Sequence, residues 1–150
     1  LKRTKNVRFV MAGGGDLISH VTRRVAKLGI ADRFHFTGFL RGNDVQKIFA
    51  LSDVYVMPSV SEPFGRSPLE AMKSNVPVII SKQSGVAEVL DYALKVDYWD
   101  ADAMADAIYA LITYPALAQM FTSKGHDEVT GLKWDNAAAK VKEVYEKVAM

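Results

Sequence analysis

The chain has 150 residues, enough for one domain that buries roughly 70% of its unfolded surface without a metal or disulfide staple. An apolar fraction of 49% and a charged fraction of 24% are ordinary for a globular domain and exclude disorder, collagen and coiled coil. The 19 Lys plus Arg against 17 Asp plus Glu leave a net charge of +2, too small to imply a nucleic acid or a membrane surface as partner.

In chain order, strand-like and helix-like segments alternate. Val7–Ala12 reads as a strand ending at Gly13, Gly14 and Gly15. Leu17, Ile18, Val21, Val25 and Leu28 then recur at helical spacing, with Gly29 as the stop. Arg33–Thr37 is a second strand, followed by Gly38, Phe39 and Leu40. Asn43 or Asp44 caps a short helix that buries Val45, Ile48 and Phe49. Asp53–Met57 is a third strand, and a polar loop leads from it to a helix over Pro68–Ser74. Val76–Ile80, nearly all apolar, is a fourth strand of the kind expected in a parallel sheet covered on both faces.

Beyond Ala93–Val96 the pattern is helical. Asp100 or Asp102 caps a stripe of Met104, Ile108, Leu111 and Ile112. Pro115 opens the next helix and Gly125 closes it. Val141, Val144, Tyr145 and Val148 align on the last. This succession predicts an α/β fold: a Rossmann-like, doubly wound parallel sheet with helices on both faces and a helical C-terminal tail. No apolar run reaches the roughly 18 residues of a membrane span. The lack of cysteine excludes disulfides, thiolate metal sites and Cys nucleophiles, and permits a cytoplasmic setting.

Two loops could carry chemistry. Gly13–Gly15 stands between a strand and a helix, where backbone can approach a phosphate closely. It is neither a dinucleotide fingerprint, since Ile18 stands at the third glycine position, nor a P-loop, and a plain tight turn explains it equally well. The second loop, Pro58-Ser-Val-Ser-Glu-Pro-Phe-Gly-Arg-Ser-Pro-Leu-Glu-Ala-Met72, sets Glu62 and Glu70 around a Phe-Gly turn with seven residues between them. It follows a strand's carboxyl end, where α/β sheets bind ligands. Ser67, Pro68 and Glu70 also form a capping-box pattern, with Ser67 as N-cap. Glu70 either bonds back to that cap or turns onto hydroxyls of a ligand whose anion meets the helix terminus. His20, His35 and His126 lack the spacing of metal ligands, and no G-x-S-x-G elbow supports a serine hydrolase.

The Glu62–Met72 segment resembles the E-x7-E motif of the retaining, family-four (group 1) glycosyltransferases of GT-B fold. The likeness extends to Phe9–Asp16, Phe36–Leu40, Ser52–Ser59 and Asn75–Ser81, to Gly85 and Glu88, and to Trp134 and Tyr145 near the end. It implies that residues 1–150 form the C-terminal, nucleotide-sugar-binding half of an enzyme whose acceptor half precedes it.

By that resemblance Glu62 is the catalytic carboxylate, contacting donor-sugar hydroxyls near the reacting carbon. Phe64, Gly65 and Arg66 hold the sugar and phosphates through backbone amides. Ser67 meets the diphosphate and Glu70 the ribose, while Gly13–Gly15, Phe39 and Leu40 border the donor. The implied donor is a nucleotide-diphosphate sugar, with no cofactor or metal, and the implied setting is polysaccharide biosynthesis. Two departures stand out. The Arg/Lys clamp of the family would precede Leu1, and Asp91–Lys95 replaces a glycine-containing loop. The 150 residues alone are therefore expected to fold without transferring sugar. A non-catalytic nucleotide-sugar-binding module and a GT-B-type epimerase are the alternatives.

Overall fold

The computed structural model describes residues 4 and 6–149, the side chain of Trp134 excepted. They fall into two compact units, one running to Ile48 and the other starting at Phe49.

The first unit contains β1 (Phe9–Ala12), α1 (Ile18–Lys27), a 3-10 turn (Ala31–Arg33) and β2 (Phe34–Gly38). The strands pair in parallel, Phe9 opposite Phe34, and the register slips between Met11 and Ala12. The Phe9 and Phe34 rings stack with centroids 5.7 Å apart. Of the stripe expected on α1, Val25 is buried, whereas Leu17 and Leu28 at its two ends are exposed. The division between the units falls within α2 (Asn43–Ala50). Asp44 lies inside that helix's first turn and pairs with Lys47 at 3.0 Å.

The second unit holds β3 (Tyr55–Met57), α3 (Ser67–Lys73), β4 (Val78–Ser81), a 3-10 turn (Gly85–Glu88), β5 (Leu94–Val96), α4 (Ala101–Thr113), α5 (Pro115–Gly131) and α6 (Trp134–Val148). Its sheet is parallel in the order β3-β4-β5, with Tyr55 opposite Val78 and Ile79 opposite Leu94. Every residue of β4 is buried, as its unbroken apolar run predicts for a central parallel strand. Ile79, Val96 and Leu111 form a core cluster to which Val56, Met104, Ile108 and Phe121 add.

Asp100 is the N-cap of α4, its carboxylate accepting the Ala103 N–H at 2.9 Å. Glu128 on α5 accepts the backbone N–H groups of Asp91 and Tyr92 at 2.7 and 3.1 Å. The Asp91–Tyr92 backbone is thus tied to a helix.

One expectation is corrected here. Gly125 does not end α5 but sits buried within it, where a Cβ would lie 2.8 Å from the Met72 Cε. On α6, Val141, Val144, Tyr145 and Val148 are all exposed.

Candidate functional site

β3 ends where Pro58 removes a backbone donor, and the chain enters the Ser59–Arg66 loop. That loop is held by its neighbours in sequence and in the sheet. The buried Ser81 hydroxyl at the end of β4 donates to the Ser59 carbonyl at 2.7 Å, and the Ser84 hydroxyl donates to the Ser81 carbonyl at 2.7 Å. Glu62 bridges to Ser84 in a parallel pairing. Gly85 N–H donates to the Glu62 carbonyl at 2.9 Å, and Val86 N–H to the Phe64 carbonyl at 2.7 Å.

These bonds require two glycines for different reasons. At Gly65 φ is +89°, left-handed, with the Met57 side chain and the Glu62 Cγ packed beneath it. At Gly85 the backbone of Pro63 and Phe64 lies so close that a Cβ would collide with the Pro63 carbonyl.

The braced loop turns into α3, but not through the expected capping box. Arg66 is the N-cap and has helical dihedrals, and Glu70 N–H donates to the Arg66 carbonyl at 3.2 Å. Ser67 is already the first helical residue, and no side chain caps the helix. The physical reason is that the Ser67 hydroxyl is engaged elsewhere, 2.7 Å from the Tyr55 phenol. Glu70 therefore has no cap to bond back to. Its half-exposed carboxylate lies 3.7 Å from the Arg66 guanidinium, which is itself 86% exposed. Burial pushes the Tyr55 phenol above its ordinary pKa; the Ser67 hydrogen bond opposes this, and the charges of Glu62 and Glu70 reinforce it.

Glu62, Phe64, Gly65, Arg66, Ser67 and Glu70 thus come together, lining with Pro63 an open depression of about 580 Å³. A slightly larger hollow, about 630 Å³, is lined by α6 residues alone, among them Asp135, Lys142, Tyr145 and Glu146.

The other sequence-predicted residues belong to the first unit. Gly13 N–H donates to the Gly38 carbonyl at 2.7 Å, closing the β1 and β2 ends, which is the work of a tight turn. A Cβ on Gly14 would touch the Phe39 ring at 3.5 Å, and Gly15 has nothing near it. Phe39 is 78% exposed, and Leu40 is half-buried. Among the described residues no group of three His, Asp or Glu side chains is placed to hold a metal ion. Sequence reasoning assigned no role to Tyr55 or Ser81. The available signal was polarity: each is a hydroxyl-bearing residue in an otherwise apolar strand.

The chain belongs to the glycosyl transferases group 1 family, which residues 1–128 match.

It is 30% identical over 150 residues to an uncharacterized glycosyltransferase of Methanocaldococcus jannaschii, covering 97% of this chain and 38% of that protein. It is also 30% identical over 151 residues to the GDP-mannose-dependent alpha-(1-6)-phosphatidylinositol monomannoside mannosyltransferase of Mycobacterium tuberculosis, covering 93% of this chain and 39% of that one. The sucrose-phosphate synthase structure from Thermosynechococcus elongatus superposes with a TM-score of 0.77 at 28% identity, over 93% of this chain and 38% of that chain. The chain thus spans about two fifths of the length of these relatives.

Proposed function

We propose that the second unit binds the nucleotide-diphosphate sugar of a retaining glycosyltransferase and takes part in the transfer. The observation that carries this reading is that Glu62 and Glu70 line one depression around the Phe64–Ser67 backbone, with Glu70 uncommitted to a helix cap. Family membership supports a sugar donor, and the mycobacterial relative, named for its dependence on GDP-mannose, supports one linked through a diphosphate.

In the reaction the bond from the anomeric carbon to the diphosphate oxygen breaks, and its electron pair leaves with the nucleoside diphosphate. A bond to an acceptor oxygen forms, and that oxygen passes its proton to the departing diphosphate. Glu62 faces the positive charge that builds on the sugar ring. The Phe64–Ser67 backbone, already fixed by the bonds from Gly85 and Val86, needs little reorganisation as charge moves onto the leaving group. We propose that no resident metal takes part. Glu70 accepts from the ribose hydroxyls, a contact made equally before and during bond breaking.

The two glutamates consequently fail differently. In the full-length protein Glu62→Ala lowers kcat by on the order of a hundredfold with donor KM little changed. Glu70→Ala raises donor KM about tenfold and leaves kcat near its original value. Steady-state transfer assays with UDP-, GDP- and ADP-linked sugars measure both. Equal loss of kcat from both substitutions, at unchanged KM, contradicts these roles.

A further inference from the structure

We propose that Tyr55 is a positioning residue of this site: its phenol donates to the Ser67 Oγ and so aims the Ser67 proton at an oxygen of the donor's diphosphate. The inference rests on the donor-binding reading above. Its starting observation is the 2.7 Å contact between the two hydroxyls, which took the place of the expected helix cap.

Each hydroxyl carries one proton, so the pair has two arrangements. With no ligand either oxygen can be the donor. With an anion in front of Ser67 one arrangement is selected, because a serine that donates to Tyr55 would present lone pairs to a negative charge. Tyr55 must then give its proton to Ser67, and Ser67 gives its own to the anion. Two linked hydrogen bonds polarise each other, so the serine becomes a better donor than it is alone.

Tyr55 is suited to the task. Its backbone is fixed in β3, paired opposite Val78 and donating to the Pro77 carbonyl at 3.0 Å. Its ring is held edge-on by Phe49, with centroids 5.6 Å apart. Burial and the neighbouring carboxylates keep the phenol protonated, so it always has a proton to give. The Ser67 backbone is set independently by the first turn of α3.

The test is a double-variant cycle in the full-length protein. Tyr55→Phe, Ser67→Ala and the double variant are titrated by NMR with UDP, GDP and ADP, and with the matching nucleosides. Tyr55→Phe keeps the ring and its packing on Phe49 while removing the donated proton. The expected result is a loss of about five- to tenfold in nucleoside-diphosphate affinity for each single variant. Nucleoside affinity stays unchanged, and the double variant is no worse than Ser67→Ala.

If the Tyr55→Phe loss persists in the Ser67→Ala background, or appears equally with the nucleoside, Tyr55 acts through packing and the proposal is overturned. A Ser67→Ala variant that binds the diphosphate normally overturns it whether or not Tyr55→Phe folds. Wild-type protein that binds none of the three nucleotides overturns the donor reading itself. Wild-type binding with no loss in Tyr55→Phe overturns this inference alone.

Discussion

The loop after β1 and the loop after β3 occupy equivalent places, each leaving the carboxyl end of a parallel strand and entering a helix, yet they are built differently. Gly13–Gly15 is tied by one backbone bond to Gly38, and two of its three glycines face open space. The Ser59–Arg66 loop is tied by the Ser81 hydroxyl, by two backbone bonds from Gly85 and Val86, and by packing beneath Gly65. A run of glycines therefore marks the simpler turn, while single glycines mark the places where backbone meets backbone. Rigidity here comes from neighbouring segments of the sheet, and residues that must hold a reacting group are better placed on the loop so held.

Substitutions can break this contrast. The largest effect is expected from Gly85→Ala. The new methyl collides with the Pro63 carbonyl and must push the Glu62–Phe64 backbone away, because neither partner is a side chain that can rotate aside. A cost of about 1–3 kcal/mol in urea or guanidinium unfolding is expected, with loss of nucleotide binding. Unchanged binding would show that the loop does not depend on this brace.

Ser81→Ala should come next. It removes the buried donor to the Ser59 carbonyl and leaves the start of the loop untied, at about 1–2 kcal/mol. The same unfolding experiment measures it, and the nucleotide titration should show weaker binding without abolition. Gly15→Ala sharpens the comparison from the other side. With nothing within 4 Å of the added methyl, stability should move by less than about 0.5 kcal/mol. A loss as large as that of Gly85→Ala would mean the two loops are equally constrained.

Much of this was legible in the sequence because the signals are local. The apolar run of β4, the alternation of strands and helices, a cap at Asp100 or Asp102 and the Glu62–Glu70 spacing all depend on residues near one another in the chain. That Glu62, Glu70 and the turn between them share one depression agrees with the same reading, since loops after parallel strands are where such sheets bind ligands.

What tertiary structure decided were matters of competing partners. The pattern Ser67-Pro68-Leu69-Glu70 satisfies a capping box on paper, but a hydroxyl can serve one partner, and Tyr55, twelve residues earlier, takes it. Gly125 has the chemistry of a helix stop, yet it sits buried inside α5 against Met72. The α6 stripe has helical spacing, but spacing shows which residues share a face and not whether anything covers it. Periodicity and spacing are properties of one segment, whereas hydrogen-bond partners and close contacts belong to pairs of segments that only the fold brings together.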